Sequence, residues 1–367
     1  MRRRKRRRKN AAVTEAMRGE EDPKEEAHQG SSTLADVKVL PVREEDGPTL
    51  EDLGDGPKVE DRCSLEPTMD ILSYSEREWK GNTTKSTLIR KGYTELSQRF
   101  GSLRRVRGDN YCALRATLFQ VLSTSTQLPV WLQVKHISMW PEELEAREGL
   151  IGHWMFPSEC RQGDRSEDAV QQLKRYMELL QNRWQAAVGC SSAEQRRRLC
   201  ELVFQGGEEE LGLLEALKLL MLGRASELHT TMQAGGDVPV FCWLLYARDS
   251  SDCPRTFLSN HLSQVGFSGG LEQVEMFLLG YALQCTIQVY RLYMADTEEF
   301  ITYYPDDHKE DWPCVCLVTE DDRHYNVPVG QPNGLQVPED HTAIPEDLPA
   351  DCLDPKSQKT SLQADCH

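Results

Sequence analysis

The sequence predicts an α+β fold, a helical body followed by a mainly antiparallel sheet, and three observations predict it. Apolar residues recur at helical spacing through much of the stretch from 93 to 284. Short runs rich in β-branched and aromatic residues then take over between 286 and 329. Both flanks, 1–66 and 330–367, are polar and charged, with Gly, Pro and Ser interspersed and no apolar period, so they are expected to be disordered. Helices gathered before strands point to a helical part packed on one sheet, here a domain spanning 67–329.

The elements follow in order. Helices are expected at 93–101, 112–124, 166–188, 194–204, 208–232 and 270–284. The second is marked by Leu114, Leu118, Val121 and Leu122, with Phe119 widening its apolar face. The third is marked by Leu173, Tyr176, Met177, Leu180 and Trp184. Strands are expected at Thr286–Leu292, Ile301–Tyr304, Cys314–Thr319 and His324–Val329, the last two joined by the acidic turn Glu320-Asp321-Asp322-Arg323. No internal repeat is present.

Composition narrows the class. A chain of 367 residues permits one large or two ordinary domains. Its 12 cysteines are scattered singly apart from Cys314-x-Cys316, and none has Cys-x-x-Cys spacing, so no metal and no cofactor is expected. With no signal peptide, a reduced cytoplasmic protein with free thiols is expected. The longest apolar stretches, Val238–Ala247 and Met276–Leu283, are too short to span a bilayer. No lipidation signal is present either, so no membrane partner is expected. The net charge is −16 even though residues 2–9 are all Arg or Lys, and so acidic a body excludes a general nucleic-acid binder. The basic run itself fits a nuclear-import signal, a contact to anionic lipid or RNA, or a solvated end.

The chemistry concentrates in Gly108-Asp109-Asn110-Tyr111-Cys112-Ala113-Leu114-Arg115. Asp109 and Asn110 are good N-cap residues, which places Cys112 in the first turn of a helix. There the helix dipole and unpaired N–H groups favour thiolate over thiol, and the same N–H groups can stabilise an oxyanion. Gly108 is expected to let the backbone turn tightly. Far downstream, His324 and Asn326 stand two apart in a strand and so share a face. A carboxamide oxygen there can accept the imidazole Nδ1–H and turn Nε2 toward a thiol. Nucleophile, base and orienter are the parts of a thiol protease. The bland alternatives are a small buried cysteine and an incidental surface histidine.

Gly-Asp-Asn-Tyr-Cys-Ala with a distant His-Tyr-Asn resembles the OTU family of cysteine-type deubiquitinases, and within it the members that cleave linear ubiquitin chains. The resemblance is carried also by Met69-Asp70-Ile71, Glu78 through Thr83, Arg104 through Phe119, Ala247-Arg248-Asp249, Gly269 through Leu279 and Glu320 through Asn326. It covers residues 69–329 and neither tail.

The resemblance implies a papain-like fold, a monomer, and hydrolysis of the glycine–methionine peptide bond of linear di- and polyubiquitin, counteracting linear-ubiquitin signalling in innate immune and NF-kappa-B pathways. It implies Cys112 as nucleophile, His324 as base and Asn326 as orienter, with Asp109 in the loop that helps form the oxyanion hole. Trp79 and Glu299 would face the proximal ubiquitin, and Glu78 would contact the substrate. Four loops would grip the distal ubiquitin and its tail. These are Arg107-Gly108; Val240, Phe241, Cys242, Trp243 and Leu244; Gly266, Phe267, Ser268, Gly269, Gly270, Leu271, Glu272, Gln273 and Val274; and Asp321, Asp322 and Arg323. Asp321 would also hold His324 away from Cys112 in a resting enzyme. The remaining alternatives are a non-catalytic ubiquitin-binding scaffold and an OTU enzyme for lysine-linked chains.

The tails depart from that pattern. Linear-chain enzymes carry an acidic Asp-Met-Tyr motif that docks in a PUB domain of the linear-ubiquitin ligase complex. No such tripeptide stands here, and Glu44–Asp61 is acidic without the aromatic anchor. Thr360-Ser361-Leu362 is followed by five more residues, so a PDZ groove would find no terminal carboxylate beside the leucine. The linear-ubiquitin ligase complex thus stays an open partner whose usual docking motifs are not found here.

Overall fold

The structure, a computed structural model, describes residues 63–133, 137–160 and 168–330. The expectations for the basic run, for Glu44–Asp61 and for the tail after 330 lie outside the described residues. Residues 63–66 do not follow the expectation of a disordered flank that reaches 66. Leu65 is buried and bridges to Val106, Arg107 N–H donates to the Ser64 carbonyl at 2.9 Å, and Glu66 N–H donates to that of Arg105 at 2.9 Å.

The chain enters through β1 (Met69–Asp70) and α1 (Ile71–Glu78), where the Asp70 side chain accepts the Ser73 N–H at 2.8 Å and starts the helix. Next comes α2 (Thr84–Leu96), capped by Thr83 and burying Ile89, Tyr93 and Leu96. This replaces the expected helix at 93–101: the Arg99 and Phe100 N–H groups close on Leu96 O and end it. After β2 (Ser102–Arg104) comes α3 (Cys112–Thr124), with the expected bounds and buried from Cys112 through Leu122. The helical body continues with α4 (Val130–Gln133), α5 (Trp140–Glu148), α6 (Ala169–Val188), α7 (Ala193–Val203), α8 (Glu208–Gln233), α9 (Val240–Tyr246), α10 (Pro254–Asn260) and α11 (Gln273–Leu283). The strands β3 (Thr286–Arg291), β4 (Ile301–Tyr304), β5 (Cys314–Thr319) and β6 (Tyr325–Val329) close the domain.

The six strands form one mixed sheet in the order β1-β2-β6-β5-β3-β4, in which β3 and β5 run parallel and the other neighbours antiparallel. Alternation along the strands splits the interior in two. Val315, Leu317, Tyr325 and Val327 join α3, α6, α8 and α11 in the main core. Val318, Leu103 and Tyr290 join α1 and α2 in a second cluster on the other side. The helix that begins at Cys112 therefore lies against the strand that follows His324. Gln120 on α3 fixes it there, its Nε2 donating to Cys316 O at 2.8 Å and Pro328 O at 3.1 Å.

Candidate active site

The turn before α3 is built differently from the sequence expectation. Tyr111 is the residue at the N-cap position, and it makes no side-chain cap bond. Asp109 instead folds its carboxylate over the turn, with Oδ1 accepting the Tyr111 N–H at 3.2 Å. The left-handed residue is Asn110, at φ 65°, and not Gly108. Asn110 tolerates that conformation, and its Nδ2 reaches across to the Phe267 carbonyl at 3.2 Å.

Beneath the turn lies a guanidinium whose role no sequence pattern announces. Arg115 is 1% exposed and grips both Asp109 oxygens, Nη1 to Oδ1 at 2.6 Å and Nη2 to Oδ2 at 2.7 Å. Its Nε donates to Glu210 on α8. Burial works against its charge, and the Asp109 and Glu210 carboxylates more than offset that, so its pKa is raised. A second buried carboxylate, Glu215, accepts the Tyr111 hydroxyl at 2.9 Å, the Trp154 indole N–H at 2.7 Å and the Lys218 ammonium at 3.0 Å. The signal for these groups is present in α8, where Glu210 borders and Glu215 and Lys218 interrupt a stretch, 211–223, that is otherwise apolar all round. Charges in such a helix must be buried and paired.

Cys112 is 3% exposed, and its Sγ approaches the Arg323 carbonyl at 3.7 Å as a donor. Burial pushes the thiol pKa up, against the smaller lowering by the Tyr325 and Ala113 N–H groups and by Arg115. The helix start alone therefore does not make a thiolate here, contrary to the expectation from position.

The structure places His324 next to Arg323, whose carbonyl the thiol approaches, but does not join the expected triad. His324 is half-buried and lies just before β6 rather than in it. Among the described residues no hydrogen bond links Cys112 to His324 or His324 to Asn326. Asn326 is buried, and its Oδ1 accepts the Val106 N–H at 3.0 Å instead. Asp321 restrains the backbone at His324, its Oδ1 accepting the N–H groups of Arg323 at 3.0 Å and His324 at 3.2 Å. Asp322, at φ 61°, is bonded by Arg291 and the Tyr293 hydroxyl. Arg291 also reaches Glu299 at 3.2 Å. Trp79 is half-buried, and its indole N–H donates to Glu320 Oε1 at 2.8 Å. Glu78 is exposed and pairs with Arg77 at 2.9 Å.

The loops expected to grip a partner divide. Arg107, Gly108, Val240, Trp243, Phe267, Ser268, Gly270, Asp321 and Arg323 are exposed. Glu272 and Gln273 are exposed too, tied to Arg248 at 2.6 Å and to the Tyr304 hydroxyl at 3.2 Å. Gly266, Gly269 and Leu244 are half-buried. Phe241, Cys242, Leu271 and Val274 belong to the main core, so packing, not contact with a partner, explains their apolar side chains. The 266–270 loop meets the turn before Cys112 through Asn110. α9 packs instead on α11, Phe241 stacking on Phe277 with centroids 6.1 Å apart.

Among the described residues the cysteines are free thiols. His261, Glu272 and Glu275 come close enough to hold a cation, but the Arg248 guanidinium already bonds both carboxylates, at 2.6 and 2.9 Å. No described helix is long and apolar enough to cross a membrane.

Among solved structures, a chain of the h/ceOTUB1–ubiquitin aldehyde–UBC13~Ub complex is 11% identical, with a TM-score of 0.50 over 74% of this chain and 91% of that one. A chain of the ceOTUB1–ubiquitin aldehyde–UBC13~Ub complex is also 11% identical, with a TM-score of 0.48 over 74% of this chain and 95% of that one. The first likeness gives the fold, an α+β papain-like OTU arrangement. The model of Peptidase family C101 matches residues 63–329, the span that holds Cys112, His324 and Asn326, and the chain belongs to that family.

Proposed function

We propose that the protein is a cysteine-type deubiquitinase of the linear-chain type that OTULIN represents, cleaving the glycine–methionine peptide bond between ubiquitin units and so opposing linear-ubiquitin signalling in innate immune and NF-kappa-B pathways. One observation carries the reading. A buried thiol at the start of a helix lies against the carbonyl of the residue immediately before a histidine 212 positions away in a peptidase-family domain. In the reaction Cys112 attacks the glycine carbonyl, and His324 takes the thiol proton and returns it to the leaving methionine amine. Water then releases the acyl-enzyme. Asn326 would swing its carboxamide from Val106 to the imidazole, and the free N–H groups at the start of α3 would hold the oxyanion.

In this reading the resting site must rearrange before it can act. A thiol donating to Arg323 O must first give up that bond, and the turn that carries Arg323 carries His324 as well. Trp79 and Glu299 supply the proximal-ubiquitin face in this reading, and the exposed Val240, Trp243 and Phe267 supply apolar contacts for the distal ubiquitin.

The test is a panel of purified di-ubiquitin linkages. Rapid cleavage of the linear dimer, lost in Cys112→Ala with binding kept, supports the assignment. Isopeptide-linked dimers cut at least as fast would make it a lysine-chain enzyme. Tight binding without cleavage, and no labelling of Cys112 by a ubiquitin activity probe, would make it a scaffold.

A further inference from the structure

Two thiols that the cleavage reaction does not use stand side by side on β5. Cys314 and Cys316 are two apart in a strand and so share a face. Both sulfurs approach one carboxamide oxygen on β3, Gln288 Oε1, at 3.6 Å from Cys314 and 3.9 Å from Cys316. That amide is held in place, since Gln288 Nε2 donates to the Tyr290 hydroxyl at 2.9 Å. Among the described cysteines Cys314 is the exposed one, and Cys316 is half-buried. We propose that this pair is an oxidation site for peroxide, in which Cys314 reacts first and Cys316 closes a reversible disulfide on it. The pair sits at the end of β5 away from the turn that carries His324, and the proposal holds whichever ubiquitin linkage the protein cleaves.

The two thiols differ in the way this chemistry needs. A hydrogen bond from Cys316 holds the Cys314 pKa below the ordinary cysteine value against the pull of burial, and the same bond, with burial, raises that of Cys316. Cys112 is buried with a raised pKa, so the exposed thiol at 314 is the faster nucleophile in the free protein. Cys285 precedes Thr286, the ladder partner of Cys314, but burial pushes its thiol up to about 12. In the reaction the Cys314 thiolate attacks one peroxide oxygen, the O–O bond breaks, and hydroxide leaves behind a sulfenic acid. The Cys316 sulfur then attacks that of Cys314, the S–O bond breaks, and the hydroxyl leaves as water with the Cys316 proton. Two thiols are oxidised to one disulfide, and one peroxide is reduced to two waters. Residues two apart in a strand have Cα atoms about 6.6 Å apart, near the upper limit of about 6.8 Å for a disulfide. The ladder to β3 and the bond from Gln120 to Cys316 O at 2.8 Å hold β5 extended. The closed disulfide is therefore under tension, and such disulfides are the ones that glutathione reduces.

Limiting hydrogen peroxide on the reduced full chain tests this, followed by catalase, denaturation, iodoacetamide and tryptic mapping. Cys314 and Cys316 are the cysteines of tryptic peptide 310–323, and Cys285 falls on another, 256–291. The expected product is peptide 310–323 without label and lighter by two hydrogens, formed about tenfold faster than Cys112 loses its label. Reduced glutathione should restore both labels. Cys316→Ser removes the second sulfur, so a sulfenic acid should persist and be trapped by dimedone on Cys314. Five results overturn the proposal: both labels kept, Cys112 oxidised first, Cys314 linked to Cys285 or to a second molecule, labels that glutathione does not restore, or no dimedone adduct in Cys316→Ser.

Discussion

Cys112 sits at a helix start, yet burial outweighs the helix end and raises its pKa. The sign follows directly. A raised pKa means the resting sulfur is protonated at neutral pH, and thiolate accumulates only as pH climbs past the usual cysteine range. Alkylation of Cys112 by iodoacetamide in the free protein, followed by peptide mapping, should therefore keep accelerating beyond about pH 8.5. A rate that levels off near neutrality would mean a preformed thiolate–imidazolium pair instead. Arg115 carries the opposite lesson about what a sequence shows. On a helix it resembles any solvated arginine, and only its partners, Asp109 six residues back and Glu210 on α8, reveal a buried charge. Replacing Arg115 with Met leaves Glu210 buried without its cation. That should cost about 3–5 kcal/mol, read as a fall in the urea midpoint. Lysine should restore little, since one ammonium cannot span both carboxylates in the same fork. The contact between Asn326 and Val106 was equally invisible, because it depends on which strand lies beside which. His-x-Asn spacing specifies a shared strand face and nothing about the backbone opposite it.

At the scale of elements, α3 was legible because its apolar period is long and uninterrupted, and the strands because β-branched residues cluster between turn residues. The short helices α1, α9 and α10 were not. Seven or eight residues supply barely two turns of pattern, and α1 takes its start from the Asp70 cap rather than from period. The loop joining Val265 to Gly270 depends on a glycine the sequence marks only weakly. Gly266 stands at φ 86°, and a Cβ there would lie 2.0 Å from the Tyr111 ring. Gly266→Ala should thus push Tyr111 out of its place beside Glu215 and shift the turn before Cys112. The expected result is a loss of about 1–3 kcal/mol in stability. With it, kcat on the cleaved substrate should fall by an order of magnitude or more. Wild-type kinetics in that variant would show that the turn is positioned by Arg115 alone.

For the whole molecule, the helices-then-strands order gave the α+β class, but the start of the domain was set two to four residues late because Cys63–Glu66 read as polar flank. Leu65 is one apolar side chain among charged neighbours, and its burial follows from the bridge to Val106, which no local pattern announces. A chain beginning at residue 67 should unfold at lower urea than one beginning at residue 63. The difference should be about 2–4 kcal/mol, from the lost leucine and the backbone bonds around it. Equal midpoints would put the boundary back at 67. The amide of Gln120 sets a further condition on the molecule as a machine. It staples α3 to β5 and to Pro328 on β6, at the end of that strand away from His324. The helix and the strand therefore cannot slide past one another as rigid rods to close the site. β6 is also paired with β5 through Tyr325 and Asn326 and with β2 through Val327 and Pro328, so the strand is held along its length. What is left to move is the turn from Glu320 to His324, and the resting and working forms can differ by a rearrangement of those five residues while both cores stay packed.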